Sequence, residues 1–340
     1  MRKNILIIRR DNIGDLICTT PLISSLRKSF PHACIDVFVN SYNAPVVSEN
    51  SEIDNIYIYK KAKHKADHES IFKIYLDRLL TYLKLRSKGV DIAILAGGAE
   101  NKRSLKVAKT VGAKQIIGYI DHAGDKAITT PIDISKTEGM HEAELTQFLA
   151  SPLGVDETVP ACTLNPTSSQ IEDIKKHLNA LQVAENEQPI GLHISARKPS
   201  NRWTKDKHIQ LIHQLWAKYE RPVMLFWSPG SQDNPLHPGD DELAASIVQQ
   251  CPNIKLIPYP TQSLEQLIAA TSLCKPFICS DGGAMHIAAA VGCPILCFFG
   301  DSDAKRWHPW GVQYALLQKQ SLNVSDISVD EALDSLAELI

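Results

Sequence analysis

Four short segments hold residue types that could do chemistry, and each directly follows an apolar run that reads as a strand. The first is RRDNIGDLICTTP, residues 9–21, in which Gly14 permits a tight turn and Asp15 falls at the mouth of a helix. A carboxylate there has two readings. It caps the helix, or it serves as a general base. The second is HISARKPSNRW, residues 193–203, where Ser195, Arg197, Lys198 and Arg202 bring a hydroxyl and three cations into eight residues. Such a loop suits phosphate oxygens, and equally it is an ordinary solvated turn. The third is SDGGAMHIAAAVG, residues 280–292. Asp281, Gly282 and Gly283 precede a helix whose first N–H groups could receive a diphosphate, and His286 lies near its start. The spacing is not GxGxxG, so a dinucleotide fingerprint is not supported. The fourth is GDSDAKRWHPWG, residues 300–311.

Other chemistries find little support. His208 and His213 are five apart, which misses the spacing of a helical metal pair. Asp240, Asp241 and Glu242 read as a helix start. There is no GxSxG, no P-loop and no nucleophilic cysteine motif. Eight cysteines without a CxxC pair read as buried, reduced thiols. No apolar run reaches the roughly 18–20 residues of a membrane span, and MRKNILIIRR lacks the apolar stretch of a secretory signal. A cytoplasmic protein is expected.

The elements that must position these segments alternate. Apolar runs at 4–8, 34–39, 55–59, 91–95 and 115–119 predict strands, with helices over 20–29, 71–87 and 104–111 between them. The pattern resets after a linker-like stretch at 161–166 and a helix over 168–184. Strands follow at 190–194, 223–227, 254–257, 276–279 and 295–299, with helices over 207–219, 243–250, 264–272 and 285–291. This alternation predicts two α/β domains with doubly wound parallel sheets. Such a pair would place ligands at the carboxyl ends of the strands, facing a central cleft.

Charge divides the same way. Residues 1–150 carry 22 Lys and Arg against 17 Asp and Glu, and the remainder carries 14 against 21. The basic half holds Lys60, Lys61, Lys63 and Lys65 in one loop, then Lys73, Arg78, Lys84, Arg86 and Lys88. It reads either as a solvated face or as a surface for an anionic partner such as a phosphorylated glycolipid at a membrane. Nothing resembles a nucleic-acid module, so no nucleic acid is expected.

Taken together, IGDLICTTP after the first strand, NRW after the strand at 190, and SDGGAMHIAAAVGCPILCFFGDSDAKRWHPWG resemble glycosyltransferase family 9, the lipopolysaccharide heptosyltransferases. HEAELTQFLASPLG, residues 141–154, resembles the family's segment before the interdomain crossing. The resemblance implies a GT-B fold with residues 1–160 as an acceptor-side Rossmann-like domain, 161–188 as linker and crossing helix, and 189–340 as the nucleotide-sugar domain. It implies inverting transfer of a sugar, usually heptose from ADP-heptose, to a hydroxyl of a lipopolysaccharide core, with no metal or other cofactor.

Asp15 matches the family's base. Ser195, Asp281, Gly282, Gly283 and His286 match donor-binding positions. Asn201 stands at or beside the usual lysine, so Lys198 or Arg202 is expected to supply the missing charge. Two other functions fit the same frame, a nucleotide-sugar epimerase and a non-catalytic nucleotide-sugar-binding protein.

Overall fold

A computed structural model describes residues 2–60, 70–99, 101–121, 124–184, 187–233 and 239–340. The contacts divide the chain into two units, Met1–Thr163 and Leu164–Ile340.

In the first unit, β1 (Asn4–Ile8) leads through a short α1 (Ile13–Ile17) into α2 (Thr20–Ser29), β2 (Cys34–Asn40) and β3 (Asn55–Tyr59). Next come α3 (Ile71–Lys88), β4 (Ile92–Leu95), α4 (Lys102–Thr110), β5 (Gln115–Ile120), β6 (Thr130–Asp133) and α5 (Glu142–Phe148). The second unit runs α6 (Ser168–Ala180), β7 (Ile190–His193), α7 (Lys205–Tyr219), β8 (Val223–Trp227), α8 (Asp241–Gln249) and β9 (Leu256–Pro260). It continues with α9 (Leu264–Ser272), β10 (Phe277–Ser280), α10 (Gly283–Ala290), β11 (Ile295–Phe299), α11 (Ala304–Trp307), β12 (Tyr314–Gln318) and α12 (Val329–Leu336).

Both sheets are parallel, with orders β3-β2-β1-β4-β5-β6 and β12-β11-β10-β7-β8-β9. Counted from its own first strand, each sheet has the doubly wound order 3-2-1-4-5-6. Strand order therefore reverses beside β1 in one unit and beside β7 in the other. The carboxyl ends at these switch points are where open α/β sheets receive ligands.

Burial on both faces explains the continuous apolar strands. Along β8, Val223, Leu225 and Trp227 enter one core while Met224 and Phe226 enter the core on the opposite face, the two-residue period of a strand. The helix α6, expected within a linker, packs Ile174 and Leu178 into the second unit's core. All eight cysteines are buried thiols outside any disulfide. Three strands lie away from their expected places or went unread. Strand β9 begins two residues later than expected and contains Pro258 and Pro260, which an edge strand tolerates because one side of its ladder is unused. The edge strands β6 and β12 had no clear apolar signal. Among the described residues no helix is long and apolar enough to cross a membrane.

Candidate active site

At the first switch point the chain leaves β1 at Arg9, whose N–H still bonds Phe38 O across to β2 (3.1 Å). The Arg9 side chain is 1 % exposed. Its Nη1 donates to the Ala96 carbonyl beyond β4, so the guanidinium spans the switch point. Its Nη2 reaches Asp15 Oδ1 at 2.6 Å and Glu142 Oε1 at 2.7 Å, and Asp11 Oδ2 lies 3.5 Å from Nε.

Asp15 is the third residue of α1, and its Oδ2 also accepts the Asn12 N–H at 3.1 Å. It is thus both helix cap and ion-pair partner, with 17 % of its side chain still exposed. Burial pushes its carboxyl up, but Arg9 and the Asn12 N–H outweigh that and hold it below the usual carboxylate range. The group is therefore ionised at neutral pH. It could accept a proton or balance a developing positive charge.

Neighbouring side chains fix this loop. Asn40 Nδ2 donates to the Arg10 and Asp11 carbonyls, each at 3.0 Å, and both Asn40 and Asn43 are fully buried. Glu142 arrives on α5, whose Thr146 hydroxyl donates to Cys18 O at 2.6 Å. Arg9, Asn40 and Glu142 were not singled out from the sequence as site residues. The signals available were two arginines directly after a buried strand and the HEAELTQF segment, whose first acid is Glu142.

At the second switch point the analogous bridge is Asn201, 2 % exposed. Its Nδ2 lies 3.3 Å from both the carbonyl and Oδ2 of Asp281, beyond β10, and its Oδ1 accepts the Gly300 N–H at 2.9 Å. One amide thus pins the loops after β7, β10 and β11. The fit requires glycine at 300, because a Cβ there would meet Ser200 O at 2.4 Å and Asn201 Oδ1 at 2.5 Å. Asn201 is a structural pin, and its neutral amide is what the carbonyl, carboxylate and N–H around it require.

The residues expected around it fall as follows. Asp281 follows β10, and Gly282 caps α10, which starts at Gly283. Among the described residues, apart from its chain neighbours, no group lies within 4 Å of where a Cβ on Gly282 would stand, so the approach to this helix start is open. The first N–H groups of the helix have no intrahelical acceptor, and the Gly282 cap has no side chain to take them.

His286 is 5 % exposed and meets Trp307 edge-on at 5.8 Å. Ser195 Oγ accepts the Ser228 N–H at 2.8 Å, tying the ends of β7 and β8. Lys198 Nζ is drawn to Asp301 Oδ1 at 3.1 Å and Ser302 Oγ at 3.3 Å. That leaves its charge partly answered. Arg202 is exposed, with Nε on the Ala196 carbonyl at 2.9 Å.

Lys60 follows β3, and its carbonyl accepts Arg78 Nη2 at 2.9 Å. Lys61, Lys63 and Lys65 lie outside the described residues. Among the described residues no group of three or more His, Cys, Asp or Glu is placed to hold a metal.

A family profile, Glycosyltransferase family 9 (heptosyltransferase), matches residues 82–333. Lipopolysaccharide heptosyltransferase 3 of Escherichia coli is 27 % identical over 303 residues, covering 87 % of this chain and 83 % of that protein. The crystal structure of a glycosyltransferase family 9 protein from Veillonella parvula superposes with a TM-score of 0.84 at 21 % identity, covering 99 % of this chain and 97 % of that one. The structure of E. coli heptosyltransferase WaaC with ADP gives 0.76 at 16 % identity, over 99 % and 100 % of the two chains. The two doubly wound sheets are those of the GT-B fold, and the chain belongs to glycosyltransferase family 9, the heptosyltransferases.

Proposed function

We propose that the protein transfers heptose from ADP-heptose to a hydroxyl of a lipopolysaccharide core, with inversion at the anomeric carbon. Asp15 is the general base. The acceptor oxygen forms its bond to the anomeric carbon as the bond from that carbon to the diphosphate breaks. The acceptor proton passes to the Asp15 carboxylate, and ADP leaves with the bonding electrons. The observation that carries this reading is the clamp on Asp15: a buried arginine and a backbone N–H hold an ionised carboxylate at a strand end, with part of it open to solvent. A low pKa suits a late proton transfer, once attack has made the hydroxyl strongly acidic.

On the donor side, Asp281 takes a ribose or sugar hydroxyl. The start of α10 at Gly282 and Gly283 receives the diphosphate, aided by Arg202 and, through its remaining charge, Lys198. The charge that grows on the leaving diphosphate meets fixed donors, which stabilise it without reorganising. Ser195 and His286 complete the donor contacts. Two structures of one relative, E. coli heptosyltransferase WaaC, support this choice of ligand: one is with ADP and the other with ADP-2-deoxy-2-fluoro heptose. Lys60, Lys61, Lys63 and Lys65 serve as cations for the phosphorylated acceptor, and the enzyme works on the cytoplasmic side of the membrane as a peripheral protein. Replacing these four lysines with Gln should raise the KM for a lipid acceptor and leave donor affinity unchanged.

The test is product analysis with ADP-heptose, in the presence and absence of a deacylated lipopolysaccharide core. The reading requires a new glycosidic linkage and stoichiometric ADP only when acceptor is present. An epimerised sugar nucleotide formed without acceptor, or donor binding with no turnover, would reject it.

A further inference from the structure

The helix α3 exposes an apolar stripe to solvent. Phe72, Tyr75, Leu76, Leu79, Leu80 and Leu83 are 75, 54, 42, 52, 54 and 52 % exposed. Their spacing of three and four residues puts them on one side of an 18-residue helix. The opposite side faces inward, where Ile74 and Leu85 are buried and Leu85 joins the core beneath. Single exposed leucines are ordinary, whereas six in one helical row form a contiguous patch.

The charges around this stripe have one dominant sign. The flank of α3 carries Lys73 and Lys84, its last turn carries Arg86 and Lys88, and its one acid is Asp77. The helix α4 packs beside α3 over the same core. It exposes Lys102, Arg103, Lys106 and Lys109, and its nine residues include no acid.

We infer that α3 lies in the plane of an anionic lipid bilayer, its stripe sunk among the acyl chains and the α4 cations on the headgroups. An apolar helical face bordered by cations is the pattern of an in-plane interfacial helix. The basic face fits an anionic leaflet and would repel a second, equally basic copy. This deepens the proposal of a lipid-linked acceptor and rests on it for its purpose, though not for its test. The membrane contact sits on α3 and α4.

The experiment is flotation of the purified protein with vesicles of phosphatidylcholine alone and with about a third phosphatidylglycerol. Wild type should float with the anionic vesicles, less so as salt rises, because headgroup attraction is screened within a Debye length. Leu79→Glu/Leu83→Glu should raise the lipid concentration for half-binding at least tenfold. Its melting temperature should stay unchanged, since both sites are exposed. Lys102→Gln/Lys106→Gln/Lys109→Gln should abolish the preference for anionic lipid. A Phe72→Trp variant should shift its emission to the blue on binding and be quenched by brominated acyl chains. No flotation at low salt, or equal binding by the double glutamate variant, would overturn the inference. So would a dimer in sedimentation that the double variant dissolves, which would give the stripe to a second copy. Transfer to a lipid-free acceptor should be equal in wild type and the double glutamate variant. Loss of transfer with vesicle binding intact would refute the proposed reaction and leave this inference standing.

Discussion

The two units share one topology and bridge their switch points with different chemistry. Arg9 spans the first, from β1 to the end of β4, and gathers Asp15 and Glu142. Asn201 spans the second, from the loop after β7 to that after β10, and gathers Asp281 and Gly300. The first bridge is a charge that helps keep the Asp15 carboxylate ionised. The second is a neutral amide that ties three loops together and leaves the cations Arg197 and Arg202 exposed. A charged bridge sets a proton-accepting group, and a neutral one leaves the local field to the helix start and the loop cations, as an anionic ligand needs. The same strand order thus carries a charged bridge at one switch point and a neutral one at the other.

Breaking the charged bridge should have the largest effect. Arg9→Met leaves Asp15 and Glu142 buried without their cation, and losing one partner of a buried pair costs about 3–5 kcal/mol. Chemical denaturation should report that loss. The survivors of folding should show an acid limb of transfer at higher pH than wild type, because burial then raises the Asp15 carboxyl against Asn12 alone. A loss below about 1 kcal/mol would mean the pair is not a bridge.

A second difference between the units lies in a buried histidine: His141 in the first unit accepts the Ala143 N–H at 3.0 Å, whereas His208 in the second unit is among the buried side chains without a hydrogen bond. His208 is 3 % exposed, neither ring nitrogen has a hydrogen-bond partner, and burial lowers its pKa to about 3. Its folded value lies below its unfolded one, so its contribution is complete above pH about 6.5 and is lost as pH falls toward 3. By pH 4 the loss is on the order of 3 kcal/mol. Asp15 adds its own loss only below about pH 4, since its folded pKa also lies below the ordinary value. Melting temperature should therefore fall between pH 6.5 and 4, and His208→Leu should lessen that fall, leaving the part due to His193, whose pKa burial lowers to about 4. A slope unchanged in the variant would assign the acid sensitivity elsewhere.

Breaking the neutral bridge should cost less. Asn201→Ala leaves the buried Gly300 N–H without its acceptor, worth about 1–3 kcal/mol. It should weaken ADP binding while the pH profile of transfer stays unchanged. Asn201→Lys should not raise turnover, because a longer cation cannot satisfy the Gly300 N–H. The smallest effect is expected for Asp281→Ala. Losing one charge-assisted acceptor should lower donor affinity about tenfold by calorimetry, and unchanged affinity would remove Asp281 from the donor site.

The alternation of strands and helices was legible because parallel strands buried on both faces are uninterrupted apolar runs, as in NILII and VMLFW. The edge strands TPID and YALLQ were not, since half-exposed edges mix polar and apolar residues. Asp15 stood out from its place after a strand, where cap and base were both open, and the family resemblance is what favoured the base. Arg9 was not, because an arginine pair after a strand reads as solvated, and its burial depends on Glu142, 133 residues away. Asn201 was read as a lost cation, whereas its role is defined by Gly300 and Asp281, both remote in sequence. Contacts between distant loops decide such roles, and no local pattern encodes them.

The most direct test of the account measures ADP affinity and single-turnover transfer in one preparation of Asp15→Asn. The amide keeps the shape of the carboxylate and removes its proton affinity. The account predicts ADP affinity equal to wild type and transfer slower by about 10²–10⁴-fold. Transfer at more than about a tenth of the wild-type rate would make Asp15 a helix cap and ion-pair partner only, and would contradict the assignment of the base.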